Sequence, residues 1–444
     1  MPLTFQVAIF TTPIYHAGMS GDGDGDGGRD DARSGFPRGA AAVISAGLLV
    51  ASLGWPALLG RLPLGLFLKN QLGLGPADIA GFWAVGTVAW YAKPLAGLLC
   101  DGVPLFGSRR RAYLIIGGAA ATALWAALGI VPHTTGALLA LVVAINVALV
   151  IISAAVGGFL VELGQRHAAT GRLSGLRLAI DGAVTLVAGP VGGWLAGRAL
   201  GWTAVAGAAI ALPLVPLALA FARDPAPPVD RQRPRARPRW AEVWRPAAVA
   251  LRARTLWLVL VFIFVAYLPP GFQTALFFRQ QDVLHMDPRT MGFLQLLGGV
   301  GALVGAAVYA SVCRRFTLRV LLLGGIVLNV VSTAIYVRYD SLAAAQVITV
   351  IASVLGTLAI LPYYDLATRA VPAGGESFGY ALILSAQNIA SFALSEPLGA
   401  ALYSRASIGF TGVVWINTAA TAAVILLVPL LPTALLARRE GERA

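Results

Sequence analysis

From Ala40 almost to the C-terminus, apolar segments alternate with short polar breaks, and each segment has the length of a membrane-crossing helix. The pattern predicts twelve spans, over residues 40–67, 78–99, 112–131, 136–160, 174–197, 203–222, 255–279, 289–311, 319–338, 341–366, 377–401 and 408–434. Hydrocarbon offers backbone groups no partner, so each span is expected as a helix, which satisfies its own. The fold class is therefore an all-α polytopic membrane protein. Breaks after even-numbered spans hold Arg109, Arg110 and Arg111, then Arg166 and Arg172, Arg314 and Arg315, Arg369, and Arg438, Arg439 and Arg443. Breaks after odd-numbered spans are poorer, with Lys69, His133, Arg198, Arg338 and Arg405. Basic loops stay on the cytoplasmic side. Both termini are thus expected in the cytoplasm, in the cell inner membrane.

Three stretches escape the pattern. Residues 1–38 read as a disordered cytoplasmic tail without the basic start of a signal peptide. Its Asp22, Asp24, Asp26 and Gly27 imitate the opening of a calcium loop, but Arg33 stands where a bidentate Glu is required. Residues 223–254 form a Pro-rich linker loaded with arginine, expected to tether two bundles and lie against anionic headgroups. The domains read as a six-helix bundle over 39–222, the linker, a second six-helix bundle over 255–434, and a cytoplasmic tail over 435–444.

Composition agrees with this class. Only 12% of the 444 residues are charged and 58% are hydrophobic, against about 25% charged in soluble proteins; the mean hydropathy is +0.77. A net charge of +13 would suggest a nucleic-acid partner in a soluble chain. Here the arginines sit mainly in loops on one side, so topology accounts for them and no nucleic-acid partner is expected. Cys100 and Cys313 fall at predicted cytoplasmic helix ends and flank no His or Cys cluster, so neither a disulfide nor a metal site is expected. No ATP-binding loop or catalytic triad is present, which argues against an enzyme, and no cofactor is implied.

The halves repeat. Residues 67–76 align with 279–288 at an offset of 212, and span 5 aligns with span 11 at an offset of 207, matching Pro190 with Pro397, Gly192 with Gly399 and Asp181 with Asn388. Duplicated bundles place a substrate site near the midplane between them.

Charged residues inside spans are costly and mark candidate sites. Arg61, late in span 1, and Lys93, before Pro94 in span 2, would attract an anionic substrate. Arg279, at the end of span 7, reads as snorkelling to the outer surface. Asp181 lies about two turns inside span 5, four residues after Arg177, and serves either as a coupling or substrate-contact acid or as one end of a helix-face ion pair. Glu396 in span 11 has no base within a turn and is the second such acid; the plainer reading is a hydrogen-bonded core acid. Asp365 is a third, with Arg369 as an i, i+4 partner. Asn146 and Gln295 are polar residues in apolar helices, as cavity lining or interhelical glue.

The loop after span 2 carries the most specific signal. Gly97, Asp101, Gly107, Arg109 and Arg110 resemble the signature loop of the major facilitator superfamily. Its longer form, Asp101, Pro104, Gly107, Arg109, Arg110, Arg111 and Tyr113, resembles the version in the folate–biopterin transporter family, as do residues 59–82 and 268–309. The resemblance implies a major facilitator fold of twelve transmembrane helices in two pseudo-repeated six-helix bundles. It also implies a secondary transporter, proton-coupled, for a folate- or pterin-like organic anion. Asp101, Arg109, Arg110, Arg111, Glu162 and Arg177 would form a cytoplasmic gate, one-sided because Cys313 occupies the position 212 after Asp101. At Gly157 the chain departs from the family, which tends to carry an Asp there. Two other classes fit the pattern: a proton-antiport exporter of drug-like compounds, from the near-match Gly189-Pro190-Val191-Gly192-Gly193, and a non-transporting pigment-complex assembly factor.

Overall fold

In the computed structural model the described residues are 38–106, 108, 110–166, 170–222, 240–313, 315–372 and 374–437, and nearly all are helical. Residues 1–37 of the tail with its calcium-like aspartates, Gly107, Arg109, residues 223–239 of the linker, Arg314 and residues 438–444 lie outside the described residues. Of Asp101 only the backbone is described, at the end of its helix.

Among the described residues eight helices are long and apolar enough to cross a membrane, and they are spans 4, 5, 6 and 8 to 12. The other four predicted spans are helical but short or interrupted. Span 3 is the 17-residue helix Arg111–Ala127. Span 1 divides into Arg38–Ser52 and Arg61–Asn70. Span 2 divides into Pro76–Gly86, the tight turn Val88–Ala92 and Lys93–Gly102. Span 7 divides into Arg254–Ala266 and Gln273–Phe278, the latter running on through the wide turn Arg279–Val283. The breaks in spans 1 and 7 fall at Pro56 and at Pro269-Pro270, since proline lacks the N–H of the helical bond and clashes with the preceding turn. Span 8 starts where Asp287 accepts from the backbone N–H groups of Arg289 and Thr290.

Each half has its own apolar core. One runs through buried residues between Ala40 and Ala222, around the fully buried Trp125, and takes in Phe278 of the other half. The other half is filled by two clusters between Ala250 and Leu436, one of which takes in Leu62. In lipid, packing of small residues holds helices together. Spans 5 and 8 meet in this way along the join between the halves. A Cβ at Gly189 or Gly193 would strike the backbone at Gly292 or Pro288, and one at Gly299 would strike Thr185.

The sequence repeat has a spatial counterpart. Gly192 of span 5 faces the Leu59 carbonyl at the break in span 1; Gly399 of span 11 faces the Gly271 carbonyl at the break in span 7. The offsets of 212 and 207 carry the first pair onto the second. At Gly192 the approach is an ordinary contact, but on the span 7 and span 11 pair a Cβ at Gly399 would strike the Gly271 carbonyl and one at Gly271 would strike Glu396, which explains glycine at both positions there.

Candidate functional site

The broken helices build the centre of the molecule. Backbone groups freed by the prolines are buried and need partners, and side chains supply them. Trp125 Nε1 donates to the Gly54 carbonyl at 3.0 Å. Ser395 Oγ donates to the Pro269 carbonyl at 2.6 Å and Asn417 Nδ2 to the Pro270 carbonyl at 2.8 Å. The second helix of span 7 then starts against Glu396, whose carboxylate accepts from the N–H of Gln273 at 3.4 Å, the N–H of Thr274 at 3.2 Å and Thr274 Oγ1 at 3.3 Å. A negative charge at a helix N-terminus is favoured by the helix dipole. Glu396 is thus held by span 7, and a Cβ at Gly271 would collide with its carboxylate.

Two cavities meet at Arg61. The first, of about 110 Å³, is bounded by Arg61, Gln273, Gln387, Asn388, Glu396 and Asn417. The second, of about 90 Å³, is bounded by Arg61, Gln273, Gln280, Gln295, Thr185 and Tyr339. Arg61 and Gln273 belong to both walls, and the offset of 212 makes them repeat counterparts. Arg61 feels the Glu396 carboxylate electrostatically and stands 6.0 Å from the Trp83 ring. Pockets for drug-sized ligands measure roughly 300–1,000 Å³, so neither space holds a large substrate as it stands.

A second charged group lies apart from these cavities. Arg177 Nε and Asp181 Oδ2 are 3.7 Å apart on one face of span 5, and Ser52 Oγ donates to Asp181 Oδ1 at 3.4 Å. Lys93 is coupled electrostatically to both residues, and its Nζ stands 5.2 Å from the Trp90 ring. All three ionisable side chains are buried. Indole rings intervene between this group and the first cavity. Trp55 packs edge-on against Trp90 at 5.9 Å and against Phe392 of the other half at 6.0 Å, and Phe392 lines the first cavity. Asn146 fixes both indoles: its Oδ1 accepts from Trp55 Nε1 at 2.9 Å and Trp90 Nε1 at 2.7 Å, while its Nδ2 donates to the Gly86 and Val142 carbonyls. Asn146 therefore sits inside the first bundle as glue and lines neither of these cavities, whereas Gln295 lines the second.

The remaining charged positions make separate contacts of their own. Arg369 grips Asp365 through two 2.8 Å bonds, Nε to Oδ1 and Nη2 to Oδ2. Arg279 turns inward instead of snorkelling: its Nε donates to the Tyr339 carbonyl at 2.6 Å and its guanidinium stands 4.8 Å from the Phe410 ring. At the loop after span 2, Arg111 Nη2 donates to the Leu219 carbonyl at 2.7 Å, tying span 3 to span 6. The Arg110 guanidinium rests on Gly158, one turn before the half-buried Glu162, and a Cβ at Gly158 would fall inside it.

Sequence reasoning missed one pair across the two halves. Lys69 at the end of span 1 forms an ion pair with Asp282 at the end of span 7, and its Nζ lies 5.1 Å from the Phe278 ring. The repeat aligns Asn70 with Asp282, so the signal was one residue from visible. With Asp282 half exposed, the bond is worth about 1 kcal/mol or less. Asp282→Lys should therefore raise maleimide labelling of a cysteine at Gln280 by about fivefold or less, and the exchanged pair Lys69→Asp with Asp282→Lys should restore it. Equal labelling in all three proteins would remove the pair as an outer latch.

Comparison with known proteins gives the lineage and the fold. A family model described as the BT1 family matches residues 54–443. The chain is 29% identical over 361 residues to a folate-biopterin transporter of Synechocystis sp., covering 78% of this chain and 71% of that protein. Among solved structures, the nucleoside transporter NupG superposes with a TM-score of 0.64 at 11% identity, covering 89% of this chain and 98% of that one. A D-xylose-proton symporter gives 0.65 at 14% identity, with 89% and 98% covered. The fold is that of the major facilitator transporters.

Proposed function

This chain belongs to the BT1 family, and on that premise we propose that it is a secondary transporter carrying a small organic anion of the folate or pterin type by alternating access, coupled to protons. The observation that carries the reading is Arg61, a fixed cation on the wall shared by two cavities between the halves. A guanidinium offers a carboxylate two parallel hydrogen bonds, and Gln273, Gln280 and Gln295 surround it with amide donors and acceptors. The folate–biopterin transporter likeness supports the substrate class. The arginine-rich breaks after even-numbered spans support a site in the cell inner membrane with both termini cytoplasmic.

In this reading substrate enters once the halves part, its acid group meets Arg61, and closure around it moves the opening to the other side. Asp181 and Glu396 are the coupling acids. Protonating Glu396 would loosen its three bonds to the start of the second helix of span 7, linking proton arrival to movement of a cavity wall. Protonating Asp181 would release Arg177 and Ser52. Asp101, Arg109, Arg110, Arg111, Glu162 and Arg177 form the cytoplasmic gate.

Counterflow in proteoliposomes preloaded with folate tests the substrate class. Exchange of labelled folate is expected; none with folate or biopterin, under either direction of pH gradient, would overturn it. Coupling has a separate readout. Asp181→Asn and Glu396→Gln should each reduce gradient-driven accumulation to the level of simple exchange while exchange itself continues. Full accumulation in both variants would remove them as coupling acids.

A further inference from the structure

The described end of the linker is a helix, Trp240–Arg252, and it ends one residue before the first helix of span 7. Ala253 is extended, and the axis turns by 79° into the first helix of span 7. With span 7 across the bilayer, as the twelve-span pattern expects, a turn of that size lays the linker helix close to the membrane plane. Trp257 Nε1 fastens the corner by donating to the Leu251 carbonyl at 2.8 Å.

Three faces of this helix differ in character. Ala247 and Ala250 are buried, with Ala250 and the Pro246 carbonyl against Gly375 at the start of span 11. The helix also packs against Lys93–Gly102, so it touches inner segments of both halves. The next face round, at the spacing i, i+4, i+7, is Trp244, Ala248 and Leu251, apolar and exposed. Beside it stand Arg245 and Arg252, also exposed, and Arg254 follows at the corner. No Asp or Glu occurs between Trp244 and Arg254. The exposed Trp257 and Leu258 extend the apolar surface onto the first turn of span 7.

A helix with one apolar exposed face, a row of arginines along its edge and an in-plane axis has the chemistry of an interfacial helix. We propose that the linker helix is a docking surface for anionic phospholipid. Trp244, Ala248 and Leu251 enter the acyl boundary, and Arg245, Arg252 and Arg254 bind the phosphates. The occupant is set by charge: an arginine gains roughly fivefold in partitioning at an anionic surface, and a zwitterionic leaflet gives no such gain. Because the helix packs on both halves, lipid engagement ties their inner ends to the leaflet.

The test uses the full-length protein with Ala248→Cys labelled by an environment-sensitive nitrobenzoxadiazole dye; Cys100 and Cys313 are buried and do not compete. Emission should shift further to the blue in phosphatidylcholine vesicles containing phosphatidylglycerol than in phosphatidylcholine alone, and the difference should shrink as salt rises. Replacing Arg245, Arg252 and Arg254 together by Gln should abolish the difference. Replacing them by Lys should retain it, and Arg252→Gln alone, the milder change, should lose part of it. Equal emission in both vesicles, or a full difference in the Gln protein, would overturn the proposal. So would a shift that follows protein density and not phosphatidylglycerol, which would identify a second copy of the chain as the occupant.

Discussion

Arg61→Gln is expected to lower folate counterflow by about thirtyfold or more. Truncating one partner of a buried, hydrogen-bonded charge pair typically costs about 2–5 kcal/mol, and the lower figure is already about thirtyfold. Arg61→Lys should fall between, since it keeps the charge and loses the planar fork that matches a carboxylate. The fold should survive both changes. Glu396 keeps its three donors from the start of the second helix of span 7 when Arg61 is altered, so that junction does not depend on the guanidinium. Equal elution from a sizing column and an unchanged thermal midpoint would show this. Counterflow by Arg61→Gln at the unaltered rate would sink the assignment of Arg61 to substrate.

Asn146→Leu is expected to be the most destabilising single change in the first bundle. The side chain is fully buried and makes four hydrogen bonds. Leucine has nearly the same shape and no polar atom. It would strand the indole N–H groups of Trp55 and Trp90 and the Gly86 carbonyl, at about 1–3 kcal/mol each. The Val142 carbonyl is four residues back on the same helix and keeps its helical bond. Trp90→Phe removes one of the stranded donors in advance, so the double variant should lose less than the sum of the two single losses. Thermal unfolding of the purified protein measures this. A midpoint unchanged by Asn146→Leu, or strict additivity, would contradict the bracket described. Loosening Trp55 also loosens its contact with Phe392, so surviving protein should exchange substrate with weaker proton coupling.

Interactions within one helix were readable from the chain. The pairs Arg177 with Asp181 and Arg369 with Asp365 follow from a spacing of four, and both occur. The spans were readable too, because hydropathy is a local property. Their interruptions were not read: spans 1 and 7 were expected unbroken although Pro56 and Pro269-Pro270 stand at the breaks, and how the freed carbonyls are satisfied depends on Trp125, Ser395 and Asn417 from other spans. Glu396 illustrates the limit. The sequence shows an acid with no base within a turn and leaves it looking isolated. Its partners are backbone N–H groups on span 7, over 120 residues away, and nothing near Glu396 in the chain points to them. Asn146 is the converse. Its amide read equally as cavity lining or as interhelical glue, and two indoles 91 and 56 residues away make it glue.

The join between spans 5 and 8 has a mechanical consequence. Gly189 and Gly193 lie on Gly292, backbone on backbone. Side chains that interlock resist sliding because every knob must leave its hole. At these glycines the join has no knob, so there one helix could roll over the other without first unlocking a rotamer. In the alternating-access cycle proposed above it would act as a bearing. Displacement grows with distance from a bearing, so the widest excursions fall at the ends farthest from the glycines, where the linker helix lies across both halves. Adding a methyl group at Gly189 or Gly292 would therefore stiffen travel far from the substitution, in addition to opening a gap beside it.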